Sequence, residues 1–367
     1  MKSPKIRFKN AQGADFPDWS QDSLGSLCQM YQPATLSKQS LDESGPYAVY
    51  GANGIIGKHS QFNHAEAEVV VSCRGNCGSV QMTKPCSWIN GNAMVVHPKD
   101  EKLLEKKFLN YLLSGQNFKS LTTGGAQPQI TRGQLSNLSV FFPSCQEQQK
   151  IASFFSTLDQ KIELNERKLE ALEKLKKGVM QKFFKQELRF KSPENRDYPE
   201  WEVQKLEKLC STFKSGSSIT QKSIFEAGAY PVYGGNGLRG YTDTYTHDGE
   251  YALIGRQGAL CGNLKYVKGK TYISEHAIAV QANSENSTQW LYYRLKEMNL
   301  NKLSESSAQP GLSAKKLKEI LINTPCLEEQ IRIANFLACF DEQIKLCTNK
   351  LFMLQQLKRS FLRQMFV

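Results

Sequence analysis

The sequence predicts an α+β protein. Two mixed, mostly-β lobes are separated by a pair of long antiparallel coiled-coil helices, related by an internal pseudo-two-fold repeat. Three observations predict it. First, the 367-residue chain repeats itself at a spacing of 182 residues. Arg7-Phe8-Lys9 and Trp19 return as Arg189-Phe190-Lys191 and Trp201, and Ala126-Gln127-Pro128 returns as Ala308-Gln309-Pro310. Pro143, Glu147-Gln148, Ile151-Ala152, Phe154, Asp159 and Ile162 return as Pro325, Glu329-Gln330, Ile333-Ala334, Phe336, Asp341 and Ile344. Second, residues 1–145 and 188–327 are rich in Gly, Asn, Ser and Thr between short β-like runs. Third, residues 146–187 and 328–367 carry apolar heptads. A period of half the chain means a duplicated domain, not a solenoid, whose repeats run to 20–50 residues.

In the first lobe the β-like runs are Glu68–Ser72 and Ala93–Val96; in the second they are Tyr251–Ile254 and Ala277–Val280. Short strands between glycine-bearing turns read as a mixed sheet lobe. One helix per lobe is expected, near Lys102–Ser114 and Thr288–Met298.

From Gln146 to Glu187 there is no proline and one glycine, Gly178. Phe155, Ile162, Leu169 and Phe183 form one apolar row, with Ile151, Leu158, Leu172 and Val179 on the other. In the second copy the rows are Leu337, Ile344, Leu351 and Met365, then Ile333, Phe340, Leu354 and Phe361. Alternating spacings of three and four keep one stripe facing a partner helix. About 42 residues at ~1.5 Å each make a rod of ~60 Å. A two-fold relation between the repeats makes the two helices antiparallel and puts a lobe at each end. The alternative is that each helix packs only on its own lobe. Asn165 and Lys176 interrupt the seam, either to fix register and orientation or because they lie at its solvated margin.

Hydrophobic residues make up 40% of the chain and charged residues 22%, the balance of an ordinary globular protein. No apolar run approaches the ~18 residues of a membrane span, and Met1-Lys2-Ser3-Pro4-Lys5 has no signal-like apolar stretch, so a cytoplasmic location is expected. Ten cysteines offer one close pair, Cys73-x3-Cys77, which is too little for a zinc site; buried reduced thiols are expected and no metal. The five histidines are scattered and form no catalytic group with carboxylates or cysteines.

The net charge of +12 suits a polyanionic partner, nucleic acid before membrane. Residues 146–187 carry nine Lys/Arg against seven Asp/Glu, and residues 328–367 six against four, so the lobes hold the remaining +8.

Three passages in each lobe could read a polyanion. The hairpin-like Tyr47–Gly57 and Tyr230–Gly240 offer Tyr50, Asn53 and the adjoining Lys58, with Tyr233, Asn236 and Arg239; a purely structural hairpin is the competing reading. The glycine spacing resembles a phosphate loop, but no Lys-Ser pair or helix follows. An arginine-glycine turn offers Arg74 and Asn76, then Arg256 and Gln257, suited to bases, phosphates or structural salt bridges. The third passage, a small-residue loop, offers Gln127, Gln129 and Arg132, then Gln309, Lys315 and Lys316; Thr131 and Ser313 read equally as helix N-caps. The copies agree at their turns and diverge between them: Ile56 faces Arg239, Lys58 faces Tyr241, and Gln129 faces Gly311. Two different ligands of one class are expected.

This pattern resembles the specificity (S) subunits of type I restriction–modification systems over essentially the whole chain. The resemblance rests on the duplicated helical signature from Pro143 to Ile162 and from Pro325 to Ile344, on Trp88–Val96, and on the Ala-Gln-Pro loops. It implies two target recognition domains, each reading half of an interrupted double-stranded DNA sequence. It also implies conserved helices that set the spacer and dock two modification subunits, which methylate adenine N6 with S-adenosylmethionine. Restriction subunits using ATP and Mg complete such complexes. The chain itself is then no enzyme and needs no cofactor. No Asn/Asp-Pro-Pro-Tyr/Phe stretch and no Gly-x4-Gly-Lys-Ser/Thr loop is present. The alternatives are a stand-alone two-domain DNA-binding regulator, or a structural coiled-coil adhesin or fibre.

Overall fold

The computed structural model describes residues 4–123, 128–258, 260–303 and 311–367. The chain divides into two compact units: Met1–Glu166 with Asn349–Val367, and Arg167–Thr348. Each unit therefore holds a lobe and part of both long helices.

In the first unit the elements run β1 (Ser20–Ser23), α1 (Leu24–Leu27), β2 (Cys28–Tyr31), β3 (Tyr47–Gly51), β4 (Gly54–His59), β5 (Val69–Ser72), β6 (Val80–Met82), β7 (Trp88–Ile89), β8 (Ala93–Pro98), α2 (Lys106–Ser114), α3 (Arg132–Ser136), β9 (Ser139–Phe142) and α4 (Cys145–Phe184). They form a four-stranded sheet of order β2-β8-β5-β6, a three-stranded sheet of order β4-β3-β7, and the pair β1-β9. In the second unit β10 (Glu202–Lys205), β11 (Cys210–Ser215), β12 (Tyr230–Gly234), β13 (Gly237–Thr242), β14 (Glu250–Gly255), β15 (Leu264–Lys268), β16 (Tyr272–Ile273), β17 (Ala277–Ala282), α5 (Thr288–Glu297), α6 (Ala314–Lys318), β18 (Leu321–Thr324) and α7 (Leu327–Met365) follow the same plan. Their sheets are β11-β17-β14-β15, β13-β12-β16 and β10-β18. Val69, Val70 and Val71 are all essentially buried, which explains why β5 reads as an unbroken apolar run and not an alternation.

The Glu-Gln signature at the start of each long helix joins it to its lobe. Glu147 is fully buried and accepts from Arg7 Nε at 3.1 Å and Nη2 at 2.8 Å. Glu329 repeats this with Arg189 at 3.2 and 2.9 Å and gains Trp201 Nε1 at 3.1 Å. Gln148 accepts the Glu105 N–H and donates to the Leu103 and Pro143 carbonyls. Gln330 accepts the Ser287 N–H and donates to Asn286 Oδ1 and the Pro325 carbonyl. A buried carboxylate is tolerable only when its lone pairs are occupied by charged or polar donors. Both arginines meet that need.

The long helices pair with opposite directions inside each unit. In the first, Phe154 stacks edge-on to Phe361 with ring centres 5.0 Å apart, Lys358 ion-pairs with Asp159, and Gln355 reaches Glu166. In the second, Phe183 meets Phe336 at 5.7 Å and Lys176 ion-pairs with Asp341. The predicted seam residues Ile151, Leu158 and Ile333 are buried, while Ile162, Leu169, Leu172, Phe340, Ile344, Leu351 and Leu354 are half-buried. The helix ends also enter the lobe cores: Met365 and Phe366 join Trp19 and Phe108, and Phe183 and Phe184 join Trp201 and Trp290.

Lys176 is buried, not at a solvated margin. Desolvation lowers its pKa, against the opposing pull of Asp341. Asp341 also accepts from Tyr293 Oη at 2.6 Å, and the Lys176 ammonium lies 5.0 Å from that ring's centre. The first unit repeats the triad: Tyr111 Oη donates to Asp159 at 2.8 Å, and Lys358 lies 5.7 Å from the ring. Each triad ties a lobe helix to both long helices. Asn165 is half-buried and donates to the Lys161 carbonyl within its own helix.

Truncating Arg189 would strand a buried carboxylate. Arg189→Ala is expected to cost ~3–5 kcal/mol, read as a lowered urea midpoint with tryptophan fluorescence, whereas an exposed control such as Arg196→Ala should cost under ~0.5 kcal/mol. Equal midpoints would contradict the role given to this pair.

Candidate nucleic-acid interface

Each lobe presents two surfaces built from the predicted passages. The first is the β3–β4 hairpin and its counterpart β12–β13. Gly51 pairs with Gly54 and Gly234 with Gly237, leaving two-residue turns, Ala52-Asn53 and Gly235-Asn236. Gly54 (φ +117°) and Gly237 (φ +103°) occupy backbone regions that side chains rarely tolerate. Asn53, Asn236, Lys58 and Arg239 are exposed.

The structure takes Tyr50 off this surface. Its side chain is 5% exposed and its hydroxyl accepts the Lys84 N–H at 3.0 Å, so it belongs to the lobe core. Tyr233 is half-buried beside the core of the second lobe, and burial raises its hydroxyl pKa. Alternation along the strand places these tyrosines inward, a facing that the sequence motif alone does not reveal.

The second surface joins the arginine turn to the small-residue loop. Arg74 bridges to Gln129, Ile130 N–H donates to the Cys73 carbonyl at 3.0 Å, and Cys77 Sγ contacts the Pro128 carbonyl at 3.0 Å. These bonds bring Arg74, Gln129 and Arg132 around one concavity of about 520 Å³, which Tyr31, Gln32 and Met94 also line. The hairpin residues do not line it. Asn76 is exposed on the same turn. In the second unit Leu312 N–H donates to the Arg256 carbonyl at 3.0 Å and Gln257 bridges to Gly311. Arg256, Gln257, Lys315 and Lys316 are exposed there. Gln127 and Gln309 lie outside the described residues.

Two competing readings divide on geometry. Thr131 is an N-cap: its hydroxyl accepts the Gln134 N–H and Gln134 answers in a capping box, while Ser313 makes no side-chain cap bond. Among the described residues neither Arg74 nor Arg256 makes an ion pair, and the Arg256 guanidinium donates one side-chain hydrogen bond, to the Ser215 hydroxyl at 3.3 Å. Exposed guanidinium groups without a carboxylate partner are available to an incoming polyanion.

Comparing the repeats sets Ile56 opposite Arg239 as a diverged position, but the candidate contacts do not include it. It is 47% exposed beside Ile55 at 56%.

Among the described residues no group of three His, Cys, Asp or Glu side chains could hold a metal ion. Burial pushes the Cys73 thiol up to about 11, so it stays protonated and unreactive at neutral pH. Among the described residues no helix is long and apolar enough to cross a membrane.

The sequence profile of the family described as "Type I restriction modification DNA specificity domain" matches twice, over residues 17–174 and 198–356. The chain is 45% identical over 132 residues to the type I restriction enzyme EcoprrI specificity subunit of Escherichia coli, a match spanning 35% of this chain and a third (33%) of that protein. It is 26% identical over 386 residues to the MjaVIII specificity subunit of Methanocaldococcus jannaschii, covering 92% of this chain and 90% of that one. Its fold is similar to the crystal structure of a type I restriction–modification S subunit from M. genitalium, with a TM-score of 0.79 at 21% identity, covering 100% of this chain and 99% of that chain. The duplicated profile follows the duplicated architecture, and the chain therefore belongs to the type I restriction–modification DNA specificity family, as a non-catalytic specificity subunit carrying its domain twice.

Proposed function

We propose that each lobe is a target recognition domain reading one half of an interrupted double-stranded DNA target. The paired helices set the spacer and dock two adenine-N6 methyltransferase subunits. The observation that carries this reading is the duplication of an exposed, uncompensated arginine turn, Arg74 in one unit and Arg256 in the other, on lobes that hold most of the chain's positive excess. Phosphate contacts from the basic lobes would supply most of the affinity and loop side chains the discrimination. The diverged tips favour two different half-sites, and the two-fold repeat favours half-sites in opposite orientation with the methylated adenines on opposite strands.

The docking part has its own support. Leu164 (63% exposed) and Leu357 (45%) lie in the first unit, Leu346 (55%) and Leu175 (53%) in the second. The repeat relates Leu164 to Leu346 and Leu175 to Leu357. Each unit thus exposes a repeat-related leucine on each long helix, an apolar provision that suits one modification subunit apiece. S-adenosylmethionine, ATP and Mg would be used by the modification and restriction subunits.

The test is genome-wide mapping of N6-methyladenine in cells with and without this chain, expressed with its modification subunit. One bipartite motif that vanishes without the chain supports the proposal; methylation indifferent to the chain sinks it.

Three outcomes follow for variants. Four residues inserted within 165–180 add about one helical turn, ~6 Å, and should lengthen the spacer while both half-sites persist; an unchanged spacer in the methylation map would contradict the ruler. Arg74→Ala should weaken binding of the target duplex by ~1–3 kcal/mol in an anisotropy titration, while Tyr50→Phe should leave affinity unchanged and cost ~1 kcal/mol of stability. Leu164→Glu with Leu357→Glu should reduce the modification subunits from two to one by native mass spectrometry; two retained subunits would remove these leucines from the docking surface.

A further inference from the structure

The two hairpins share a register irregularity. In the first, Val49 pairs with Gly57 and Tyr50 with Ile55, which leaves Ile56 as an extra residue. In the second, Val232 pairs with Gly240 and Tyr233 with Leu238, which leaves Arg239 extra. A bulge of this kind re-aims one side chain away from the regular alternation of the strand.

A glycine lies beneath each bulged side chain. A Cβ on Gly51 would stand 2.8 Å from Ile56 Cγ2, and one on Gly234 would stand 2.7 Å from Arg239 Cδ. Such separations are too short for ordinary contact, so both side chains lie across a strand that is bare at that point. The cradle is the same in both lobes and the side chain laid in it differs. The flanking position stays apolar and exposed in both: Ile55 at 56% and Leu238 at 52%.

We infer that the bulged residue is a base-discriminating position, at which Ile56 selects a thymine methyl in one half-site and Arg239 selects guanine in the other. This rests on the reading of each lobe as a half-site reader. In the major groove the thymine methyl is the apolar feature that an aliphatic side chain can cover, and the guanine O6/N7 pair is the acceptor set that a guanidinium bridges bidentately. Ile55 and Ile56 are uncovered at the hairpin tip, where an apolar group of the ligand would bury them. Among the described residues the Arg239 guanidinium has one hydrogen bond, at 3.3 Å to exposed Gln221, a tether weak enough to let it turn toward a base.

The test exchanges the two chemistries. Wild-type chain, Ile56→Arg and Arg239→Ile are each expressed with the modification subunit, and methylated adenines are mapped by long-read sequencing. The fold already accommodates an arginine over this glycine in the second hairpin. Ile56→Arg is expected to turn one T·A position of one half-site into G·C, with a preference ratio changed by roughly 10-fold or more. The other half-site and the spacer stay as they were, and Arg239→Ile makes the reciprocal change in the other half-site. If a variant is silent in cells, its purified complex is selected against duplexes randomised in both half-sites: one altered position supports the inference, and recovery of the wild-type motif overturns it. Arg239→Lys, an exposed change that keeps the charge, should relax the guanine preference without moving the melting temperature. Unchanged base preferences in all three variants overturn the inference. A wild-type chain that directs no methylation fails the underlying reading instead.

Discussion

Neither long helix can bury its own apolar stripe, and the rest of the structure depends on how that stripe is covered. In each unit the cover is the other long helix, running the opposite way. Apolar heptads alone fix little beyond the existence of a seam, because sliding by seven residues keeps like facing like. The Tyr111–Asp159–Lys358 and Tyr293–Asp341–Lys176 triads add what the heptads lack. A buried or half-buried ion pair gains little net stability over a well-packed apolar pair, but a mispaired one is costly, so its contribution is to orientation. Since the tyrosine of each triad comes from a lobe helix, the same contact that aligns the two long helices aligns the lobe on them.

The Arg7–Glu147 and Arg189–Glu329 pairs complete that arrangement at the other end of each helical segment. A carboxylate with no solvent exposure holds the residues before the first strand, the start of a long helix and the lobe core in one place. The lobe surfaces can then diverge without cost to the frame. That separation of duties explains how Ile56 and Arg239 can occupy the same cradle with opposite chemistry.

Much of this was legible in the residues. Heptad spacing located both long helices to within a few residues because a 40-residue helix integrates a weak signal many times over. The lobes were legible as glycine-punctuated short strands, though not their three sheets apiece, since partners in a sheet lie far apart in the chain. The Glu-Gln signature was visible as a repeat, but its role was not, because the arginine it binds lies 140 residues away. Lys176 read two ways until burial and Asp341 decided between them. Tyr50 looked like a surface aromatic beside a turn and is a core residue, since strand facing depends on register. The bulge was not legible at all: both hairpins carry it at the same place and have the same length, so comparing the repeats passes over it.

The most direct measurement of the central claim is a cross-link between the long helices inside one unit. With the exposed Cys339 replaced by serine and Glu166→Cys and Gln355→Cys combined, a short bismaleimide should join the two introduced positions within a single chain, giving a mobility shift at high dilution that exceeds that of either single variant. A shift that appears only between chains, or none at all while both thiols label freely, would contradict antiparallel self-pairing and the spacer function argued from it.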